Sequence, residues 1–256
     1  MRSVPFARLL LLVIVLGAWE LCARQGWINV FFTSSPSQIA GFLWQTFASG
    51  SIFIDIAYTL SETIVGFLLG VVAGIALGLV LGRWRYTDSV LDPFLTFLNS
   101  MPRIALAPLF ILWFGIGPGS KVILSISLVF FIMTINTRAG LRNIEHDWIV
   151  VTRLLGASVR DTYRHVLIPA AIPMIFAGAR LALVYSLLGA VVGELLSAQH
   201  GLGQEIAYYS GVFQVDAVLG YVVVLAIMSV ALNAILLAFE SRVTRWERRG
   251  RVISDV

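Results

Sequence analysis

Six apolar runs recur along this chain, at about residues 9–23, 56–81, 94–114, 121–137, 170–196 and 215–239. Most are long enough to cross the roughly 30 Å hydrocarbon core of a bilayer. In lipid every backbone N–H and C=O has to be satisfied by the protein itself, which leaves helices and closed barrels. The runs are continuous rather than alternating, so they predict helices. Composition agrees: 59% of residues are hydrophobic and 12% charged, and the mean hydropathy is +0.90, outside the range of soluble domains. The expected fold is an all-α integral membrane protein of about six transmembrane helices, one domain over residues 1–256. Cys22 is the sole cysteine and lies inside the first run, which excludes a disulfide framework or a cysteine metal cluster. The first run follows Arg2 and Arg8 as a leader would. Leu21, two places before Ala23, makes a poor cleavage pattern, so the run is expected to stay as a helix.

The net charge of +4 does not form a nucleic-acid patch, because the basic residues stand at the ends of the runs. Placing both termini in the cytoplasm puts Arg2, Arg8, Arg83, Arg85, Arg138, Arg142, Arg153, Arg160, Arg164 and the tail arginines 242, 245, 248, 249 and 251 inside. Arg24 and Lys121 then fall outside, while Arg103 and Arg180 remain within runs. Short cytoplasmic loops carry the basic excess, so this orientation is expected, with residues 25–55 and 197–214 as outer loops. In the first of these, Ser35 and Pro36 cap a short interfacial helix with Ile39, Phe42, Leu43 and Phe47 on one face.

The second run carries Gly66, Gly70, Gly74, Gly78 and Gly82, each four residues after the last. Small residues at this spacing let helices approach closely in lipid, where packing rather than hydrophobic exclusion holds a bundle. The spacing drifts about 40° per step, so the stripe is expected to spiral past more than one neighbour; a hinge is the alternative use of the glycines. After Asp88, Asp92 and Pro93, the third helix is expected over 94–114, broken by Pro102 and Pro108. Within or near the runs lie Glu20, Glu62, Arg103, Arg180 and Glu194. Such charges cost about 2.5–3.5 kcal/mol each near the membrane centre and tend to face the bundle interior. Arg103, with Asn99, Ser100 and Met101 beside it, is a candidate for meeting an anion in a pathway, as are Asn136 and Glu194 for lining one. Arg103 paired with a carboxylate or reaching to the interface is the competing reading.

The longest polar segment, residues 138–169, calls for a purpose, because structureless loops of that length are uncommon in compact folds. Asn143 is positioned to cap a first helix with Glu145 and Asp147 in its opening turn and Trp148, Val151, Leu154 and Leu155 on one face. Gly156 ends it, Ala157 follows, and Ser158 with Asp161 forms a capping box for a second helix. Two short amphipathic helices around a glycine make a surface for docking a partner; a hairpin lying on the membrane is the alternative.

Gly156, nine further residues and then Val166-Leu167-Ile168-Pro169 resemble the cytoplasmic loop signature of permeases in binding-protein-dependent ATP-binding cassette importers. That signature reads E-A-A, three residues, G, nine residues, I-x-L-P; Val150, Val151 and Thr152 stand where E-A-A would. The resemblance extends to Ser35-Pro36-Ser37, Leu91-Asp92-Pro93, the run from Pro108 to Gly117, Asn136-Thr137 with Gly140, Gly178-Ala179-Arg180, Glu194 and Gly201-Leu202-Gly203. Together these are similar to the nitrate, sulfonate, taurine and bicarbonate branch. The resemblance implies a type I importer fold and a pathway formed with a second copy of the chain. It further implies two cytoplasmic ATP-binding subunits docked at the loop around Gly156, an extracytoplasmic substrate-binding protein, and a small organic or inorganic anion as cargo. No cofactor is expected. The spacing of a phosphate loop is absent, and His146, His165 and His200 lack metal or triad spacing. A self-sufficient secondary transporter or channel and a membrane enzyme are the other function classes.

Overall fold

The computed structural model describes residues 3–144 and 146–244. Glu145 and residues 245–256, which include four of the tail arginines, lie outside the described residues, as does Arg2. The helices are α1 (Ser3–Arg24), α2 (Val30–Thr33), α3 (Pro36–Ser49), α4 (Ile52–Arg83), α5 (Arg85–Ser100), α6 (Ala107–Phe114), α7 (Pro118–Arg142), α8 (His146–Leu154), α9 (Val159–Thr162), α10 (Ile168–Leu196), α11 (Leu202–Gly211) and α12 (Val215–Val243). A 3₁₀ turn (Arg103–Leu106) precedes α6 and a π turn (Tyr163–Leu167) joins α9 to α10. Among the described residues five helices are long and apolar enough to cross a membrane, and α5 with the segment through α6, bent by 76°, forms a sixth candidate.

The glycine stripe fixes the centre of the fold. A Cβ added at Gly70 would meet Val129 Cβ at 2.7 Å, at Gly74 Met133 Cβ at 2.5 Å, and at Gly78 Thr137 Cβ at 2.6 Å; Gly66 and Gly82 abut Ser125 and Leu141 in the same way. Every partner lies on α7, and each stands 59 positions after its glycine, from 66 with 125 to 82 with 141. The expectation of several neighbours is therefore corrected. Two helices whose contact rows both run in steps of four cross at an angle that keeps the rows together, which absorbs the drift. Ser125 Oγ donates to Ser186 O at 2.9 Å, and Ser186 Oγ donates to Thr63 O at 2.8 Å, lacing α10 to both helices. Such bonds average about 0.6 kcal/mol in a membrane bundle, so close backbone approach does more than they do to set the register.

A constant positive offset means that α4 and α7 run parallel. The chain between them must then return from the end of α4 to the level of its start, so the bent pair of α5 and α6 crosses the full thickness rather than dipping in and out. α10 runs antiparallel to α7: Gly140 lies against Ala171 and Met174, Gly178 against Asn136, Gly189 against Ser125 and Gly193 against Lys121. α12 turns back again, with Glu240 paired to Arg180 and Gly220 packed on Phe42 of α3. Six alternating crossings bring the two ends of the described chain to one side. Most other apolar surface stays outward; Leu9 and Leu11 of α1 are 60% and 63% exposed, as befits lipid contact.

The third crossing differs from its expected form. α5 begins at Arg85 and holds Asp88, Asp92 and Pro93 within it, and the break falls at Met101 and Pro102 alone. Met101 is extended, as the residue before a proline tends to be. Pro108 breaks nothing: it sits in the first turn of α6, where its missing N–H would have no partner anyway.

Candidate functional site

One end of the bundle gathers most of the described arginines and the segment expected to dock a partner. α7 runs through Arg142, and Asn143, which the sequence suggests as the cap of the next helix, closes α7, its N–H donating to Ala139 O at 3.0 Å; the start of α8 adjoins Glu145, outside the described residues. α8 places Asp147 in its first turn and ends in two backbone bonds, Gly156 N–H to Arg153 O at 3.0 Å and Ala157 N–H to Thr152 O at 3.1 Å. These require a left-handed residue, and Gly156 has φ +79°. Ser158 then caps α9, its Oγ accepting the Asp161 N–H at 3.2 Å. The second helix is not a separate one: α9 passes through the π turn into α10, because Thr162 and Ile168 both stay helical. Beyond the rooted part, Leu154 and Leu155 are each 81% exposed, and Val151 and Trp148 are half exposed.

This segment is tied to the bundle on both sides. Tyr163 donates its hydroxyl to Leu79 O at 2.7 Å, beneath the Arg83 guanidinium. At the end of α7, Arg138 lies 2.8 Å from Asp88 and 2.5 Å from Asp92, and Arg142 pairs with Asp88 as well.

The expected pathway residues do not gather in one place. Arg103 and Asn99 meet at the bend, where the guanidinium donates to Leu98 O at 3.0 Å and Asn99 Oδ1 at 3.2 Å and lies 3.9 Å over the Phe131 ring. Arg103 thus satisfies the carbonyl end of α5, a favourable place for a cation, and meets no carboxylate among the described residues. Ser100 bonds back to Thr96 O at 2.8 Å, and Met101 forms the bend itself. Asn136 turns away to α10, donating to Ile132 O at 2.8 Å while packing on Gly178. Arg180, by contrast, is paired with Glu240.

Glu194 lies at the opposite end, 1% exposed, in a buried polar cluster that the sequence did not foretell. Its Oε1 accepts from Thr59 Oγ1 and its Oε2 from the Gly203 N–H, both at 2.7 Å. Thr59 in turn accepts the Leu202 N–H at 2.9 Å, and Asp55 accepts the Gly201 N–H at 2.9 Å. Three side chains of α4 and α10 thereby satisfy the free amides at the start of α11 and fasten it as a roof. The Gly-Leu-Gly sequence follows from this: a Cβ on Gly201 would collide with the Glu194 carboxylate, and one on Gly203 would lie 2.6 Å from Val191 O. Lys121, expected at a loop end, is 1% exposed and donates to Ile116 O and Gly117 O. Glu62, 3% exposed, lines a small cavity with it. On the roof itself, burial and then the neighbouring Asp55 charge raise the Glu205 carboxyl from its ordinary value.

The sequence had one unused signal for these contacts. Asp88 and Asp92 stand four apart, as do Arg138 and Arg142, so each pair shares a helix face. Glu62, Glu194 and Lys121 carry no such spacing and are brought together only by the fold.

Residues 66–249 match the model of the binding-protein-dependent transport system inner membrane component family. The chain is 34% identical to the riboflavin transport system permease protein RibX of Chloroflexus aurantiacus over 96% of its own length and 90% of the relative's. It is 33% identical to the putative aliphatic sulfonates transport permease protein SsuC of Escherichia coli, covering 84% and 81%, and 28% identical to that organism's taurine transport system permease protein TauC, covering 92% and 87%. Among solved structures, a chain of the MetNI methionine ABC transporter in inward facing conformation superposes with a TM-score of 0.65 at 20% identity, over 74% of this chain and 94% of that one. The helix order, the six alternating crossings and these likenesses agree: the chain belongs to the inner membrane components of binding-protein-dependent transport systems, as a multi-pass ABC importer permease with a type I fold, in the branch that includes the sulfonate and taurine permeases.

Proposed function

We propose that this permease forms its pathway with a second copy of itself and takes the stroke of two cytoplasmic ATP-binding subunits through α8 and the Gly156 turn. It receives its cargo from an extracytoplasmic binding protein. The observation that carries the coupling is the tip of α8: Leu154 and Leu155, each 81% exposed, on a segment rooted at both sides. An apolar tip held this firmly at the basic end suits a groove on a partner. The basic end is taken as cytoplasmic, since Arg83, Arg85, Arg138, Arg142, Arg153, Arg160 and Arg164 all lie there. Residues 138–169 are then the coupling segment, 25–55 and 197–214 the outer loops of a single domain, and the outward apolar faces meet lipid. ATP is hydrolysed by the partner.

For the cargo we propose a small organic or inorganic anion, with an aliphatic sulfonate as the first choice on the likeness to SsuC and TauC. Nitrate and small carboxylates belong to the same chemical class. Arg103 supports this, because its half-buried guanidinium at the bend keeps donors beyond those given to Leu98 and Asn99. The test is reconstitution in liposomes with an ATP-binding subunit and a binding protein, using taurine and riboflavin as probes. Uptake of taurine that needs all components supports the proposal. Uptake by the permease alone makes it a self-sufficient transporter, and uptake of riboflavin but not taurine overturns the anion reading. Full taurine uptake after Arg103→Ala removes Arg103 from the recognition of cargo.

A further inference from the structure

The bend at Met101 and Pro102 lies on the same helix as Asp88 and Asp92, while the proposed docking helix hangs from the end of α7, where Arg138 and Arg142 stand. The two acids face the two arginines as matched rows, each with a spacing of four. Asp88 is the centre of this contact: it is 2% exposed, Arg138 approaches it to 2.8 Å, and Arg142 grips its other oxygen. Arg138 reaches Asp92 with its remaining branch. The glycine seam joins α4 to α7 and bypasses α5, whose far end is held through Arg103, bonded to Leu98 and Asn99 and lying over Phe131 of α7. At the end of the bundle that carries α8, the contact of Asp88 and Asp92 with Arg138 and Arg142 is therefore the polar route by which a push on α8 reaches α5.

We propose that Asp88 is a positioning residue that transmits the movement of α8 and α7 into α5, and through it changes the bend at Met101–Pro102. A buried carboxylate held between two guanidinium groups is costly to pull from either, because loss of one partner leaves buried charge uncompensated. With both arginines on α7 and both acids on α5, the helices have to move together at this end. The bend, where no helical bonds resist, takes up the motion. Arg103 is carried along, since it is bonded to Leu98 and Asn99 across the same break. This rests on the proposed docking of an ATP-binding subunit at α8.

The experiment is amide hydrogen exchange by mass spectrometry on the assembled complex in nanodiscs, with and without the ATP analogue AMP-PNP. In the wild type, exchange in residues 146–154 and 97–106 should both respond to nucleotide, by about threefold or more at the bend. In Asp88→Asn the response of residues 146–154 should remain and that at the bend should fall below about half. Asp88→Glu, which keeps the charge, should restore it. Arg142→Gln, at a half-exposed arginine that leaves Arg138 on Asp88, gives the same comparison with less risk to folding and should weaken the bend's response. A full nucleotide response at the bend in Asp88→Asn, or in Arg142→Gln where the former does not fold, overturns the inference. Absence of any response in 146–154 of the wild type overturns the docking reading instead, and the inference with it.

Discussion

Gly74 in α4 and Gly156 after α8 stand in opposite surroundings. A Cβ on Gly74 would lie 2.5 Å from Met133 Cβ and 2.6 Å from Phe130 O, whereas one on Gly156 would meet nothing within 4 Å. Gly74 is needed because a neighbour occupies the space, and its backbone is ordinary helix. Gly156 is needed because its φ of +79° is strained for any side chain, although the space is open. The contrast extends to their regions. The α4–α7 seam is inaccessible and depends on size, while the α8 turn is accessible and depends on conformation and on an apolar tip left bare. One region builds the bundle; the other leaves its apolar tip bare.

Substitutions that exchange the two requirements should break or sharpen this contrast. The largest effect is expected from Gly74→Leu, since the clash involves a backbone oxygen that cannot swing aside; overpacking of this kind costs about 1–3 kcal/mol or more. Monodisperse protein should be lost on size-exclusion chromatography in detergent, and a normal yield would sink the account of the seam. Next, Leu154→Ser combined with Leu155→Ser should leave yield and melting unchanged yet lower co-purification of the ATP-binding subunit about tenfold or more, as loss of anchor residues does. Gly156→Val should cost about 1–2 kcal/mol locally and weaken ATPase binding, with Gly156→Asn recovering most of it because asparagine tolerates the left-handed region. Equal effects of valine and asparagine would show that size matters there after all. Ser158→Ala should cost about 1 kcal/mol, seen as faster amide exchange at Asp161. Smallest is Gly41→Ala in α3, where a Cβ meets nothing within 4 Å in a helical backbone: a gain of up to about 1 kcal/mol in thermal stability.

The sequence made the crossings legible because hydropathy is a local property, and the Gly156 and Ser158 turn legible because caps act within a few residues. It carries the packing role of the glycines but not the identity of their partners, since the direction in which two helices cross is decided by the second helix. The closing role of Asn143 is hidden for a similar reason: an asparagine can close one helix or open the next, and the extent of α7 makes it a closing residue. Pro108 signals a break in the sequence, whereas the structure makes it a beginning. Lys121, Glu62 and Glu194 are far apart in the chain, and nothing short of the α4–α7–α10 packing could bring them together. Of the expected pathway residues, Asn99 and Arg103 share a location because they are four apart; Asn136 and Glu194 have no such tie.

The register of 59 positions shared by α4 and α7 has a mechanical consequence. Packing locks both ends of the segment between them, so residues 84–117 close a ring that is covalent on one side and interlocked on the other. A ring with fixed anchors cannot change its bend without also shifting where its arms pass. Adding or deleting one residue there leaves both helices in place and loads the whole misfit onto the joint at Met101–Pro102, so the length of this stretch is constrained even where the identity of its residues is not.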